Sequence, residues 1–205
     1  MSNKNLVKHL KNRGILRSES IEKALLYVDR KDFIPEKYSD YAYVDDALPI
    51  GRGQTISQPY TVTFMLELLN VFPGDVVMEV GYGSGWVTAL LSHLVGEKGR
   101  VYSFEIVPEL CDVGETNLKK YPKLLKRSEL FCKSAKNGIP NTKLDRILVS
   151  ADVRSVPKVW RNQLKINGVM VYPQRWNIVR EEKTYKNDFK REEHGSFAFV
   201  PFVED

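Results

Sequence analysis

Residues 76–85 read Val-Val-Met-Glu-Val-Gly-Tyr-Gly-Ser-Gly, an apolar run followed by glycine at every second position. The apolar run predicts a short buried strand over 76–80, and the pattern after it predicts a helix over 85–95. Glycine adopts positive φ and lets the backbone approach a ligand, while the first turn of a helix has free N–H groups. The spacing G-x-G-x-G differs from the dinucleotide fingerprint G-x-G-x-x-G. We therefore expect a ligand-binding loop of another kind at residues 81–85.

The same alternation of strand and helix continues through the middle of the chain. Strands are predicted at 76–80, 101–105, 130–133, 146–150 and 169–172, and helices at 60–69, 85–95, 108–121 and 156–164. Two helices are predicted before them, around 6–10 and 18–28, followed by an irregular loop over 38–57 that we interpret as functional. The β-rich tail 197–203 is expected to pair antiparallel with residues 177–183. These patterns predict an α/β fold, a Rossmann-like doubly wound, mostly parallel sheet with an antiparallel C-terminal strand and an N-terminal helical extension.

Composition narrows the class of protein. The 205 residues are 42% hydrophobic and 28% charged, which excludes a disordered chain and a coiled coil. The net charge of +5 is too small for a nucleic-acid-binding footprint, and the acids and bases of residues 180–194 alternate, which is typical of a solvated face. No apolar run approaches the ~20 residues of a membrane helix, and no secretory signal is visible. Cys111 and Cys132 alone make neither a disulfide framework nor a metal cage, so we expect reduced thiols, no metal and a cytoplasmic location.

Two further positions support a ligand site at one edge of the predicted sheet. Glu105 ends the second predicted strand, where a carboxylate can accept hydrogen bonds from the hydroxyls of a ribose. Ser134 and Ala135 follow the third strand. Taken alone, a glycine turn can be a tight connection and a terminal acid a solvated cap; together they favour a cofactor site. The glycine loop resembles the first motif of class I S-adenosylmethionine-dependent methyltransferases, in which it holds the methionine part of the cofactor.

Residues 45–60, Asp-Asp-Ala-Leu-Pro-Ile-Gly-Arg-Gly-Gln-Thr-Ile-Ser-Gln-Pro-Tyr, closely resemble the loop before that motif in the protein-L-isoaspartate O-methyltransferase family. Residues 27–30, 33–35 and 199–202 also match the family pattern. The resemblance implies methyl transfer from S-adenosylmethionine to the free carboxylate of L-isoaspartyl residues in damaged proteins or peptides. It implies a single methyltransferase domain over 1–205, made of N-terminal helices and a lid loop (1–59), a cofactor-binding core (60–173) and a β segment (174–205). We expect a monomer with no membrane or nucleic-acid partner.

The resemblance also implies roles for individual residues. Ser57 corresponds to the serine at the reaction centre that holds the substrate carboxylate; read from the residues alone, it is also a candidate N-cap for the helix that begins near Pro59. His9, His93 and His194 lie outside all motifs, which suits a reaction without proton transfer. The implied cofactor-binding residues are Gln54, Thr55, Ile56, Glu79, Gly81, Tyr82, Gly83, Ser84, Gly85, Glu105, Ile106, Ser134 and Ala135.

The chain departs from the family pattern on the substrate side. Asp152 and Arg154 stand where the family has small neutral residues, and Ser134 stands where it has an acid; residues 173–176, Pro-Gln-Arg-Trp, replace Pro-Val-Gly. We expect Asp152 and Arg154 to face the substrate, with Arg154 contacting Asp152 or the acceptor carboxylate. These changes leave two alternatives open: a methyltransferase for another acceptor, either a small molecule or a nucleic acid, or a cofactor-binding homologue without isoaspartyl activity.

Overall fold

A computed structural model describes residues 2–202 of the chain. Helices cover both faces of a central sheet, and a hairpin forms a separate two-stranded sheet. The helices are α1 Asn3–Asn12, α2 Glu19–Tyr27, α3 Pro59–Leu69, α4 Trp86–Val95, α5 Pro108–Leu118, α6 Pro122–Leu125 and α7 Lys158–Gln163. The strands are β1 Leu48–Gly51, β2 Gln54–Ile56, β3 Val76–Val80, β4 Arg100–Glu105, β5 Ser128–Cys132, β6 Leu144–Val149, β7 Leu164–Gln174, β8 Asn177–Lys183 and β9 Phe189–Gly195.

The central sheet has seven strands in the order β5-β4-β3-β6-β7-β8-β9. Strands β3 to β7 run parallel to one another, whereas β8 is antiparallel to both of its neighbours, β7 and β9. This arrangement confirms the predicted α/β fold and its mostly parallel sheet. The strand order reverses between the adjacent strands β3 and β6, because β4 and β5 lie on one side of β3 and β6 and β7 lie on the other. Ligands bind beyond the carboxyl ends of the strands at such a topological switch point.

Side chains of β3 point alternately to the two faces of the sheet and enter two hydrophobic cores. Val77 packs with α1 to α4 on one face, and Met78 packs with Phe104 and Trp160 on the other. Both β3 residues have no exposed surface. A strand buried on both faces is apolar along most of its length, with Glu79 as the exception in β3, which explains why residues 76–80 are recognisable in the sequence.

The predicted pairing of the C-terminal tail is wrong. Residues 177–183 do form strand β8, but its outer partner is β9, and Asn177 lies opposite Gly195. The described part of the tail follows an extended path across the carboxyl end of the sheet, where Pro201 makes a single parallel bridge with Asp152. The aromatic residues of the tail therefore pack against other elements rather than forming a regular strand: Phe197 stacks on Phe64, with 5.4 Å between the ring centroids.

The charged segment 180–194 is only partly solvated, in contrast to the prediction. Glu181 and Lys183 are 3% and 7% exposed. Oε1 of Glu181 accepts hydrogen bonds from Nη2 of Arg161 at 2.8 Å and from the hydroxyl of Tyr172 at 2.7 Å. Lys183 donates to the carbonyl of Leu164 at 2.8 Å. Charges on β8 alternate because one face of the strand is buried and its charged groups are paired there, while the outer strand β9 faces solvent.

The expectation of reduced thiols is also wrong. Cys111 in α5 and Cys132 at the end of β5 form a disulfide, with their Cα atoms 5.7 Å apart. The crossover connection from β4 through α5 and α6 to β5 brings these two residues together, although they are 21 positions apart in the sequence. No helix in the described chain is long and apolar enough to cross a membrane.

Candidate active site

A cavity opens at the carboxyl ends of β3, β4, β5 and β6, with about 860 Å³ of space including its open mouth. The hairpin β1–β2 and the C-terminal tail close it on two sides. Its lining consists of Ile50, Gln54, Thr55, Ile56, Ser57, Val80, Gly81, Tyr82, Gly83, Ser84, Trp86, Val87, Phe104, Glu105, Ile106, Val107, Leu110, Lys133, Ser134, Ala135, Ser150, Ala151, Val200, Pro201 and Phe202.

The glycine loop forms the floor of the cavity. Gly81, Gly83 and Gly85 have φ values of +84°, +47° and +85°, in the left-handed region that side chains disfavour. A Cβ atom on Gly83 would lie 3.2 Å from Cδ1 of Ile50, and one on Gly85 would lie 2.9 Å from the carbonyl oxygen of Gly114. The loop therefore needs glycine both for its backbone conformation and for its close approach to the hairpin and to α5.

Glu105 holds this loop as well as facing the cavity. Its carboxylate accepts hydrogen bonds from the backbone N–H groups of Gly83 (2.9 Å), Ile106 (2.8 Å) and Val107 (3.0 Å). A carboxylate has about four acceptor positions, so three bonds leave capacity for a ligand. Glu105 is 8% exposed and lines the cavity. It can therefore order the loop and accept a further hydrogen bond from a bound ribose.

Glu79 lies beneath the loop and does not line the cavity. The carboxylate is fully buried and accepts hydrogen bonds from the hydroxyls of Thr88 (2.5 Å) and Ser103 (2.6 Å) through Oε2. Its Oε1 has no partner among the described residues. Burial raises the pKa of Glu79 to about 7, because the charged form is poorly solvated there. Gly85 likewise lies just outside the lining, and a cofactor-binding role for these two residues stays a prediction.

Ser57 lies between the hairpin and α3 and lines the cavity. The alternative interpretation as a helix cap is wrong: Gln58 occupies the N-cap position and makes no capping bond, and the first-turn N–H of Tyr60 donates instead to the Asp45 carboxylate. Within residues 2–202, the Ser57 hydroxyl makes no hydrogen bond. The backbone carbonyl of Ser57 accepts one from Arg30, at 3.3 Å. The hydroxyl is therefore available to a ligand while its backbone is held.

The far end of the cavity is formed by the segment after β5. Ser134 and Ala135 line it, and Lys133 lies beside them; their role in cofactor binding stays a prediction. The indole N–H of Trp160 donates to the carbonyl of Ala135 at 2.9 Å, which fixes this segment to α7. Cys132 is bonded through its disulfide to Cys111, next to Leu110 in the lining. The disulfide therefore joins the two segments that border this end of the cavity.

Asp152 and Arg154 lie outside the lining. The Asp152 carboxylate accepts a hydrogen bond from the backbone N–H of Arg175 at 3.1 Å, and its backbone bonds to Val200 and Phe202 at 2.7 Å and 2.9 Å. Arg154 is exposed, and the predicted contact with Asp152 is absent from the described chain. Asp152 thus anchors the tail at the rim of the cavity, and a substrate-binding role for the two residues stays a prediction.

Several lining residues were not among the predicted site residues. Val200, Pro201 and Phe202 come from the tail, Trp86 from the first turn of α4, and Ser150 and Ala151 from the end of β6. The position of Ser150 at the carboxyl end of a predicted parallel strand is a signal that could have identified it. The tail carries no comparable signal, because its path over the sheet depends on long-range contacts.

The lining contains no histidine, and within the described chain no group of three or more His, Cys, Asp or Glu side chains could hold a metal ion. His93 lies in the last turn of α4, where its ring packs on Tyr27 at 5.2 Å between centroids. Burial lowers the pKa of His93, which favours its neutral form. The titratable residues that do line the cavity are Tyr82, Glu105 and Lys133. The arrangement thus suits ligand positioning more than proton transfer.

Comparisons with known proteins agree with this geometry. The family model of protein-L-isoaspartate(D-aspartate) O-methyltransferase matches residues 1–205. A protein-L-isoaspartate O-methyltransferase of Methanopyrus kandleri is 44% identical over 204 residues, covering 97% of this chain and 89% of that protein. A protein of the same name from Flavobacterium psychrophilum is 42% identical, covering 98% of this chain and 93% of that protein.

The solved structures point the same way. A protein-L-isoaspartate O-methyltransferase of Plasmodium falciparum, crystallised in complex with S-adenosyl-L-homocysteine, superposes with a TM-score of 0.90 at 25% identity and covers all of both chains. A second structure named protein-L-isoaspartate O-methyltransferase gives a TM-score of 0.88 at 27% identity, covering 97% of this chain and 65% of the other. Sequence, fold and cavity agree, and the chain belongs to the protein-L-isoaspartate(D-aspartate) O-methyltransferase family.

Proposed function

We propose that this protein transfers a methyl group from S-adenosylmethionine to the free carboxylate of L-isoaspartyl residues in damaged proteins and peptides. The observation that carries the proposal is the joining of two features in one cavity: the Glu105-braced glycine loop and the unpaired Ser57 hydroxyl. The first suits the cofactor and the second suits an anionic acceptor. Their occurrence in a chain of this family supports isoaspartyl residues as the acceptor class.

The residues present fit the cofactor. The loop conformation needs glycine at 81, 83 and 85, and the resulting cradle leaves backbone close to the cavity. Gly81, Gly83 and Glu105 would hold the methionine and ribose parts, and Ser134 with Ala135 would border the adenine in a Rossmann-like manner. When bound, S-adenosylmethionine supplies an electrophilic methyl group on a sulfonium. Ser134 offers a hydroxyl to the adenine, a weaker acceptor than a carboxylate.

The acceptor needs no general base. A free carboxyl group titrates near ~4, so an isoaspartyl carboxylate is already ionised at pH 7. The task of the protein is to align the anion with the methyl group and to keep water away. The Ser57 hydroxyl can donate a hydrogen bond to one carboxylate oxygen and so orient the other toward the methyl group. Apolar residues Ile50, Ile56 and Phe202 border the same space and exclude water.

The hairpin β1–β2 would act as the lid of this site. Gln54, Thr55 and Ile56 on β2 line the cavity, and the turn at Arg52 reaches α5, where its guanidinium forms an ion pair with Glu109. This exposed pair can release without a large cost. We further infer one methyltransferase domain over 1–205, acting as a cytoplasmic monomer on isoaspartyl proteins and peptides, with no nucleic-acid or membrane partner.

The experiment that tests the proposal measures transfer of labelled methyl groups. The protein is incubated with labelled S-adenosylmethionine and, in separate reactions, an isoaspartyl peptide, the same peptide with normal aspartate, and tRNA. Base-labile label on the isoaspartyl peptide alone is the expected result. Label on tRNA would favour the alternative acceptor class, and calorimetric cofactor binding without transfer would favour a homologue that has lost the activity.

The role of Ser57 is tested in the same assay. Ser57→Ala should reduce kcat strongly while leaving affinity for S-adenosylhomocysteine nearly unchanged, because the hydroxyl faces the acceptor. Ser20→Ala on the exposed surface of α2 is the matched control and should behave as the wild type. Full turnover in Ser57→Ala would remove the serine from the reaction centre.

A further inference from the structure

Arg30 is a completely buried cation next to the candidate reaction centre. It lies in a short 3-10 helix, Arg30–Phe33, and its side chain has no exposed surface. The guanidinium forms no ion pair with a carboxylate in the described chain. It donates instead to four backbone carbonyls, those of Ala42 (2.9 Å), Val44 (3.3 Å), Asp46 (2.8 Å) and Ser57 (3.3 Å).

The four acceptors come from two segments that flank the hairpin β1–β2. Residues 42–46 precede the hairpin, and Ser57 follows it. Arg30 therefore links the segments before and after the lid hairpin by hydrogen bonds to both. A guanidinium is suited to this task because its planar fork presents five N–H donors in fixed directions, whereas an ammonium group presents three around one atom.

Burying a cation without a carboxylate partner is unfavourable, so a buried arginine such as Arg30 is expected to have a function that offsets this cost. Burial lowers the pKa of Arg30 to about 10, and the nearby Asp45 and Asp46 act in the opposite direction. The group therefore remains charged at neutral pH. Its guanidinium carbon also lies 5.4 Å from the ring centroid of Trp86, a residue of the cavity lining. Arg30 thus contacts two residues of the cavity lining: the backbone of Ser57 and the ring of Trp86.

We propose that Arg30 is a positioning residue for methyl transfer, which fixes the backbone of Ser57 so that its hydroxyl meets the acceptor carboxylate, and whose charge favours binding of that anion. The inference rests on the proposed function and deepens it. It assigns the substrate side of the site, and not the cofactor side, to Arg30.

Other contacts allow the role of Arg30 to be separated from folding of the loop. The Asp45 carboxylate accepts a hydrogen bond from the backbone N–H of Tyr60 at 2.8 Å, and Gln58 donates to the Asp45 carbonyl at 3.0 Å. These bonds attach residues 45–46 to the start of α3 independently of Arg30. Loss of Arg30 should therefore loosen Ser57 without detaching the whole loop.

The experiment compares two Arg30 variants with a matched arginine elsewhere. Arg30→Lys keeps the charge but cannot reach four carbonyls, and Arg30→Gln also removes the charge. Arg146 is the control because it is 8% exposed, donates to the carbonyls of Asn70 and Asp145, and lies 5.5 Å from the ring of Phe72 at the opposite end of the sheet. Arg146→Lys should lower the melting temperature without changing kcat or peptide KM beyond about twofold.

We expect Arg30→Lys to lower kcat for the isoaspartyl peptide at least tenfold while peptide KM and affinity for S-adenosylhomocysteine change less than threefold. Arg30→Gln should in addition raise peptide KM at least fivefold. A merely structural role would lower cofactor affinity and turnover together, in proportion to the fraction of folded protein. Unchanged kcat in folded Arg30→Lys, or parallel losses of cofactor and peptide binding, would overturn the inference.

Peptide binding distinguishes failure of this inference from failure of the proposed function. Affinity of a fluorescent isoaspartyl peptide is measured by anisotropy in the presence of S-adenosylhomocysteine, with the aspartyl peptide as reference. A wild-type protein that binds neither peptide and methylates neither overturns the proposed function. Selective binding by the wild type that persists unchanged in Arg30→Gln overturns the assignment of Arg30 alone.

Discussion

Glu79 should make the free energy of unfolding depend on pH, and the substitution Glu79→Gln should remove this dependence. The carboxylate is fully buried, and burial raises its pKa from 4.5 to about 7. Between these two pH values the folded protein holds a proton that the unfolded chain releases, so the free energy of unfolding falls as the pH rises. The contribution is fully present below pH 4.5 and is lost as the pH passes 7. One pKa unit corresponds to about 1.4 kcal/mol, so the loss amounts to about 3 kcal/mol.

Glu79→Gln isolates this contribution. The amide is neutral at every pH, and its oxygen can still accept from the Thr88 and Ser103 hydroxyls. All other titrating groups are shared, so their effects cancel in the difference between wild type and variant. The free energy of unfolding is measured by urea titration at pH 4.5 and at pH 8. Between these pH values the wild type should lose about 3 kcal/mol more than Glu79→Gln does.

Glu97→Gln, at an exposed position before β4, is the matched control. It removes a carboxylate from the exposed surface instead of the buried one. The result that would refute the reasoning is a difference between wild type and Glu79→Gln that is the same at both pH values. Glu79 would then be ionised in the folded protein across the whole range, and its unpaired Oε1 would need another explanation.

Three further predictions concern the border of the cavity. Glu105→Ala should weaken cofactor binding at least tenfold by calorimetry, since hydrogen bonds to a charged acceptor contribute about 1.5–3 kcal/mol each; unchanged affinity would contradict the assignment. Reduction of the Cys111–Cys132 disulfide, which closes a loop over 21 positions, should lower stability by roughly 3 kcal/mol and weaken cofactor binding. Equal urea midpoints with and without dithiothreitol would disprove this. Arg154→Ala should raise peptide KM about two- to fivefold without affecting the cofactor, as for an exposed charge; equal KM values would exclude Arg154 from substrate binding.

The central part of the fold could be predicted because its strands are buried on both faces. Residues 76–80 and 101–105 are mostly apolar, with Glu79, Ser103 and Glu105 as exceptions, and the structure places β3 and β4 within one residue of the predicted limits. At the edge of the sheet formed by β9, the prediction from the sequence was wrong. Strand β9 is mostly charged, whereas the tail is rich in phenylalanine, so a criterion based on apolar content selected the wrong partner for β8.

The site was predictable where chemistry imposes local constraints and unpredictable where distant segments meet. The glycine loop needs positive φ at alternate residues, and this requirement is visible in the sequence. The role of Arg30 has no such signature, because its four acceptors are backbone carbonyls, which every residue has. The disulfide likewise depends on α5 packing beside β5, and two isolated cysteines give no indication of it.

The charges on strand β9 affect how an unfolded polypeptide substrate can pair with the sheet. It is the outer strand of the sheet, and four of its seven residues, Lys190 to Glu193, are charged. Aged or partly unfolded polypeptides expose backbone that readily adds to an unprotected sheet edge. A client that paired with β9 would have to bring its own side chains against this row of charges, which discourages indiscriminate adhesion. The charges of β9 therefore protect this edge of the sheet from pairing, and they lie apart from the cavity, which opens at the carboxyl ends of β3 to β6.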